Sequence, residues 1–492
     1  MTSATSFGLV VLVAAGVGLI AILSSRASQR VLVPAPAVFL IGAAVAAQVV
    51  PRLHSLLTVQ AVDQIVTVAL VVILFDGGMG IGWWRFRSAA GPIMWIGVVG
   101  TALTATAVAA LAHFLFGFAW LPALVLGTAL SPTDPAVVFS VLGRREVLGR
   151  SAPILEGEAG VNDPVGIALM LSLIAAAGTG GVAAGSVAVQ FVLQMAVGGV
   201  IGLAGGYLLL QFTRRVTLPS AGLYPVRTLA AALLLYGVAT VAHGSGFLAV
   251  FVAGIVVGDP RVPYGRNIEH FHSALASLAE IVAFLLLGIT VHLQGLTQGG
   301  VWWIGLAMAV LLGLVVRPVL VGGLLLPARL RWGERIFVLW SGLKGAVPLL
   351  LGTLALVAGL EGASRVYQVI FIVVAFSVVV QGGLVFPVAR HLKIPIRPVQ
   401  LEPWGLGVTL RQQPQELQRF RVVQGSVADG TTVADLGLNE SVWINLIIRQ
   451  GALVPVSRSS RLQAGDEVLT LAEPEPASDM AAIFEKPADP DP

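Results

Sequence analysis

The sequence predicts an all-α polytopic membrane protein of about thirteen transmembrane helices, two of them broken, followed by a small cytoplasmic α+β domain. Three observations predict it. Of the 492 residues 57% are hydrophobic and 11% charged, outside the range of an ordinary soluble domain. Apolar stretches of roughly 17 to 25 residues, each long enough to span a bilayer, recur from Phe7 to His391. Between them the basic residues fall into every second loop.

In chain order the spans are expected near 7–23, 31–50, 60–82, 91–117, 119–142, 153–177, 185–212, 227–243, 246–258, 274–293, 301–326, 336–357 and 366–389. The first has no basic residue before it and reads as a span rather than a cleaved signal peptide. One set of loops carries Arg26 and Arg30, Arg85 and Arg87, Arg144, Arg145 and Arg150, then Arg214, Arg215 and Arg227. The same set continues with Arg261 and Arg266, Arg329, Arg331 and Arg335, and finally Arg390, Lys393 and Arg397. The alternating set holds only Arg52 and Arg365. This asymmetry makes the first set cytoplasmic, with the N-terminus outside and the C-terminus inside a cell inner (plasma) membrane. It also supports the number of spans, since one missed helix would scramble the alternation.

After Pro398 the composition changes. Residues 1–398 form the expected transmembrane domain and 399–418 a linker. Residues 419–473 read as an α+β unit, with alternating text at Phe420, a short helix near Val433–Leu438, and strands at Ile444–Ile448 and Glu467–Leu471. The acidic, proline-rich residues 474–492 read as a disordered tail. Cysteine is absent, so disulfides, thiolate metal sites and cysteine catalysis are excluded. The arginines behind the net charge of +4 sit in short loops, so no nucleic-acid partner is expected; the partner is the lipid bilayer. Glycine-rich text lacks a following Gly-Lys-Ser/Thr, no phosphate loop is read, and no cofactor is expected. Gly198-Gly199, Gly202 and Gly205-Gly206 are expected to permit close helix packing.

The chemistry concentrates in the fifth, sixth and twelfth spans. Ser131-Pro132-Thr133-Asp134-Pro135 should interrupt the fifth, freeing carbonyls that join the Thr133 hydroxyl as oxygen ligands for an alkali cation. In the sixth, Glu158 and Asn162 share a helix face and Asp163 lies about 100° further round. A charged side chain at that depth costs at least a few kcal/mol, so it usually marks an ion or proton path. A buried carboxylate facing water can hold either a proton or a cation: one site with two competing ligands. The plainer reading of Asp163, neutralisation by a basic neighbour, is weaker here; for Glu158, a helix-holding ion pair is the better reading. A matching interruption is expected at Ser341–Pro348 in the twelfth span, and two such breaks in corresponding halves point to an inverted-repeat transporter. Lys344 and Arg317 are strong cations deep in the membrane and each needs a partner. Arg317 is matched with Glu158, and Lys344 with Asp134 or with the two facing helix ends. Asp76, before Gly77-Gly78, either lines an ion entrance or caps a helix ending at those glycines. His113, His243 and His292 read as interfacial or core residues.

With these residues in view, the chain resembles the bacterial sodium/proton exchanger family of cation:proton antiporters, especially its potassium/proton branch. The matching text is Leu74-Phe-Asp-Gly-Gly, Leu130-Ser-Pro-Thr-Asp-Pro-Ala, Glu158-Ala-Gly-Val-Asn-Asp-Pro, Gly244-Ser-Gly-Phe-Leu-Ala-Val-Phe-Val-Ala-Gly and Gly342-Leu-Lys-Gly-Ala-Val-Pro, across Phe7 to His391. The resemblance implies a thirteen-span inverted-repeat homodimer whose core moves against a dimerisation scaffold in elevator fashion. It implies that Asp163 binds the cation (K+ or Na+) and the proton beside Asn162. Thr133 and Asp134 would occupy the crossed, unwound segments, and Glu158 would be a supporting ion-pair partner. The Asn-Asp pair resembles the electroneutral exchangers. Lys344 stands where many relatives have arginine, and Asp76 where many have glutamate. Residues 419–473, with Leu462-Gln-Ala-Gly-Asp-Glu-Val-Leu, resemble the C-terminal ligand-sensing subdomain (TrkA-C, or RCK C-terminal) of potassium-transport regulators. That implies a small-molecule or nucleotide ligand and favours potassium over sodium.

A regulated cation channel is the alternative, but the sequence has no Thr-Val-Gly-Tyr-Gly filter, and buried carboxylates in broken helices suit alternating access better. An intramembrane enzyme would need a catalytic pair, and no Gly-x-Ser-x-Gly or His-Glu-x-x-His pattern occurs.

Overall fold

The computed structural model describes residues 34–50, 53–54, 57–134, 137–138, 145–147, 151–178, 183–258, 262–326, 330–398, 417–438, 442–449, 452–472 and 477–485. The span expected at 7–23, Pro135, most of the linker and the end of the tail lie outside them. The chain divides into two compact units, 1–400 and 401–492.

The first unit is helical. Its elements are α1 (Ala35–Val49), α2 (Val59–Met94), α3 (Trp95–Phe116), α4 (Trp120–Leu130), α5 (Ser151–Gly178) and α6 (Ala184–Arg215). Then come α7 (Leu223–Val241), α8 (Gly246–Val257), α9 (Gly265–Ile289), α10 (Gln298–Leu324), α11 (Trp332–Trp340), α12 (Ala346–Val357), α13 (Ala363–Gln381) and α14 (Val385–His391). Among the described residues eight helices are long and apolar enough to cross a membrane, and α1, α4, α8 and α12 are shorter apolar helices. Helix therefore appears in every described segment where apolar length predicted it. The unit is not wholly helical: strand β1 (Arg145–Val147) pairs antiparallel with β2 (Ile396–Pro398).

Glycines decide how closely the central helices approach. Gly78 of α2 faces the backbone of Phe251 and Ile255 in α8, and Gly254 of α8 faces Phe75, so a methyl group at either would overlap main chain. This corrects the alternative that a helix ends at Gly77-Gly78: Gly78 serves close packing, Gly77 is exposed, and α2 continues to a kink at Gly82, where φ is +66°. Gly198, Gly202 and Gly206 lie four apart on α6 and meet Ser245, Ala249 and Ala253 along α8. Three helices also contain an extra-residue (π) turn, at 95–100 in α3, 312–316 in α10 and 377–381 in α13.

The second unit is a four-stranded antiparallel sheet in the order β3 (Leu417–Arg421), β6 (Glu467–Ala472), β4 (Val442–Arg449), β5 (Ala452–Val454), with a 3-10 turn at Val433–Leu436. Residues 474–492 are not wholly disordered. Ala477–Phe484 forms helix α15, and Met480 and Phe484, four apart, bury one face in the sheet's core. Phe484 stacks on Phe420 with ring centroids 5.5 Å apart. Arg449 Nε and Asp466 Oδ1 are 2.8 Å apart, and Asp466 Oδ2 also accepts from the Gln463 N–H.

Candidate ion-binding site

Two helix breaks create the site. α4 ends at Leu130, because Pro132 has no N–H and its ring excludes the preceding turn, and residues 131–134 run on unwound. α11 ends at Trp340, and 341–345 are unwound until α12 starts at Ala346. The two unwound segments meet: the Asp134 N–H donates to the Leu343 carbonyl at 2.8 Å.

Each broken helix exposes carbonyls at its C-terminal end, and a buried cation satisfies each set. Lys344 Nζ donates to the Pro132 carbonyl at 2.8 Å and the Ser131 carbonyl at 3.3 Å, closing α4. Arg317 Nε donates to the Leu339 carbonyl at 2.9 Å, closing α11. Its other nitrogens pair with Glu158 of α5: Nη1 to Oε1 at 2.9 Å and Nη2 to Oε2 at 3.2 Å. Arg317 directly follows the π turn of α10, whose extra residue re-aims the side chain. The Asp134 carboxylate lies over Gly345, the N-cap of α12, where the helix presents its positive end. Any side chain at Gly345 would collide with that carboxylate, and one at Gly342 with the Arg317 guanidinium. The π turn of α13 supplies the remaining partners. Ser377 Oγ accepts from the Lys344 N–H at 2.9 Å, and Gln381 Nε2 donates to the Trp340 carbonyl at 2.6 Å.

Asn162 and Asp163 enter this crossing from α5, which carries Pro164 within its length. Asn162 Nδ2 donates to Thr133 Oγ1 at 2.7 Å, which ties α5 to the unwound end of α4. Thr133, Asn162 and Asp163 are each no more than 8% exposed. Asn162 Oδ1 and Asp163 Oδ1 are nevertheless buried without a hydrogen-bond partner. A buried oxygen left unpaired costs about 1–3 kcal/mol, so two on consecutive residues mark a place built for something else to fill. Asp163 is an electrostatic neighbour of both Asp134 and Lys344. Oxygen acceptors without donors, one of them a carboxylate, can hold a hard monovalent cation or, on Asp163, a proton.

The structure thus brings Thr133, Asp134, Glu158, Asn162, Asp163, Arg317 and Lys344 together. Asp76 stands apart on α2, half-buried, with Glu269 of α9 as its electrostatic neighbour. Sequence reasoning missed Ser377 and Gln381, whose role depends on a π turn. It also missed Asp63, whose Oδ1 accepts from Thr353 of α12 at 2.9 Å, and Glu280 in the middle of α9. Both are acids in otherwise apolar text, the same signal that singled out Asp163. His113 bonds the Phe118 carbonyl through Nδ1 and stacks on Trp120, and His292 stacks on His54.

Residues 9–391 match the family model described as sodium/hydrogen exchanger, transmembrane. The chain is 35% identical over 393 residues to the K(+)/H(+) antiporter NhaP of Alkalimonas amylolytica, covering 80% of this chain and 68% of that protein. It is 31% identical over 424 residues to the K(+)/H(+) antiporter NhaP2 of Shewanella sp. (strain MR-4), covering 85% and 73%. Its fold resembles that of the sodium proton antiporter MjNhaP1 from Methanocaldococcus jannaschii, with a TM-score of 0.65 and 18% identity over 78% of this chain and 99% of that one.

Proposed function

Because the chain belongs to the sodium/hydrogen exchanger family, and is a cation/proton antiporter rather than an enzyme, we propose that it exchanges potassium, or secondarily sodium, for protons at Asp163. The observation that carries this reading is the unpartnered Asp163 Oδ1 and the unpartnered Oδ1 of the preceding Asn162, at the crossing of two broken helices. In one state Asp163 carries a proton and needs no cation. In the other it is ionised, and a cation is held by its carboxylate, the Asn162 oxygen, the Thr133 hydroxyl and main-chain oxygens of the unwound segment. The two ligands compete for one charge, which makes exchange obligatory and, with a single carrier carboxylate, electroneutral.

The neighbouring charges are matched within the protein: Glu158 by Arg317, Lys344 by helix carbonyls, and Asp134 by the start of α12. That arrangement supports Asp163 as the variable charge. Potassium is favoured over sodium by two relatives whose names state K(+)/H(+) antiport. The fuller reading is a thirteen-span homodimer in the inner membrane, N-terminus outside, working as an elevator. The basic loops support its orientation, and the two broken helices support its inverted repeat. The sheet unit is proposed as a cytoplasmic regulatory domain of the TrkA-C kind that takes a small-molecule or nucleotide ligand.

The deciding experiment is dissipation of a pH gradient in vesicles containing the purified protein, with potassium, sodium or lithium added in turn. Wild type should move protons in response to potassium, and Asp163→Asn should abolish that movement while remaining folded and inserted. Wild-type exchange in the mutant, or ionic current without proton movement, would overturn the proposal.

A further inference from the structure

Glu280 lies within the apolar text Leu278-Ala-Glu-Ile-Val-Ala-Phe of α9, outside every motif of the site. Its Oε1 is buried without a hydrogen-bond partner, as are Asn162 Oδ1 and Asp163 Oδ1. Its carboxylate is an electrostatic neighbour of Asp134, which in turn neighbours Asp163. Glu280 thus stands in the field of an acid of the crossing, and it is carried by α9.

On the N-terminal side of Glu280 that helix face is polar. Glu269, Ser273, Ser277 and Glu280 are spaced four, four and three residues apart, which places them within a sector of about 80°. Glu269, His270, Ser273, Ala274 and Ser277, all on α9, line an open surface groove of about 410 Å³. At its Glu269 end Asp76 of α2 is an electrostatic neighbour. α9 is long and apolar enough to cross a membrane, yet a face with two carboxylates, a histidine and two serines cannot lie against lipid without a large cost. That face belongs against water. From Glu269 to Glu280 the helix rises about 16 Å, so the polar stripe runs that far along α9 from the groove.

We propose that this face of α9 is one wall of the aqueous path to Asp163, and that Glu280 is the acid that receives the exchanged cation just before Asp163. A carboxylate oxygen with no donor, beside a second carboxylate, is a well of negative potential for a cation arriving along the groove. The proposal rests on the antiport reading, and the test separates the two.

Cation-dependent proton movement would be measured in vesicles across a range of potassium chloride concentrations for wild type, Glu280→Gln, Glu280→Asp, Ser277→Lys and Asp163→Asn. Glu280→Gln should raise the potassium concentration giving half-maximal rate about tenfold with a smaller fall in the maximal rate, and Glu280→Asp should largely restore it. A merely structural role would reduce the maximal rate or the amount of folded protein and leave half-saturation unmoved. Ser277→Lys, at an exposed position, places a fixed positive charge in the groove and should raise the half-saturating concentration even if Glu280→Gln fails to fold. Unchanged half-saturation in folded Glu280→Gln, or in Ser277→Lys when the former does not fold, overturns the inference. If Asp163→Asn is inactive in that case, the antiport reading still stands; wild type without any cation-dependent proton movement removes both.

Discussion

Lys344 Nζ donates to the Pro132 carbonyl at 2.8 Å, so an ammonium from one broken helix closes the C-terminal end of the other. The contact explains how a lysine 3% exposed is accommodated at all: it meets the negative end of a helix and stands in the field of Asp163. Lys344→Met should lower stability by about 1.5–3 kcal/mol, the usual worth of hydrogen bonds to a charged group, and should abolish exchange. Lys344→Arg should keep both carbonyl contacts and retain measurable exchange. Thermal unfolding in detergent and pH-gradient dissipation in vesicles would check both.

The Arg317–Glu158 pair should behave as a buried ion pair. Arg317→Ala leaves Glu158 as an uncompensated charge and the Leu339 carbonyl without its donor, and should cost about 3–5 kcal/mol. Glu158→Gln combined with Arg317→Gln should cost less than the sum of the single changes, because no charge is then stranded. Melting curves of the four proteins measure the coupling directly.

Thr133 has a second task besides offering an oxygen: it holds Asn162 Nδ2 and so fixes the direction of Asn162 Oδ1. Thr133→Val keeps the shape and removes the acceptor. It should raise the half-saturating cation concentration about tenfold, about 1.4 kcal/mol, while Thr133→Ser stays near wild type. Cation titrations of proton movement would show the difference, and an unaltered titration in Thr133→Val would remove the residue from the site.

In the sheet unit, burial by itself would push the Asp466 carboxyl up, but Arg449 and the Gln463 N–H outweigh it and hold the group below its ordinary value. A carboxylate lowered in the folded state stabilises fully above its unfolded value, near pH 4, and that contribution is lost as pH falls through the lower folded value. Hydrogen exchange of residues 417–485, corrected for the intrinsic pH effect, should therefore accelerate as pH drops below about 4. Asp466→Asn should flatten that dependence.

Prolines and isolated acids made the core of the site readable from sequence alone, because their cost in a membrane helix is tolerable only at a break or a charge pair. Thr133, Asp134 and Asp163 were singled out that way and Asn162 by the family resemblance, and the structure brings the four together. Partners across the fold were less readable. Lys344 could be matched to Asp134 or to helix ends, since spacing along the chain says nothing of distance between helices. The π turns carry no compositional mark, so Ser377 and Gln381 read as ordinary span. At Gly77-Gly78 the alternative of a helix end failed, because a glycine that permits close packing, as Gly78 does, and a glycine that ends a helix look alike in text. The strands β1 and β2 are too short to show a period. In the tail, acidic and proline-rich neighbours outweighed the four-residue spacing of Met480 and Phe484.

The ladder between β1 and β2 joins Arg145 to Pro398, Glu146 to Arg397 and Val147 to Ile396. β1 sits in the connection between α4 and α5, and β2 follows α14 at the end of the helical unit. In mechanical terms the ladder is a splice. A force applied to the chain beyond Pro398 divides between α14 and the connection leading to α5, and α5 is the helix that carries Asp163.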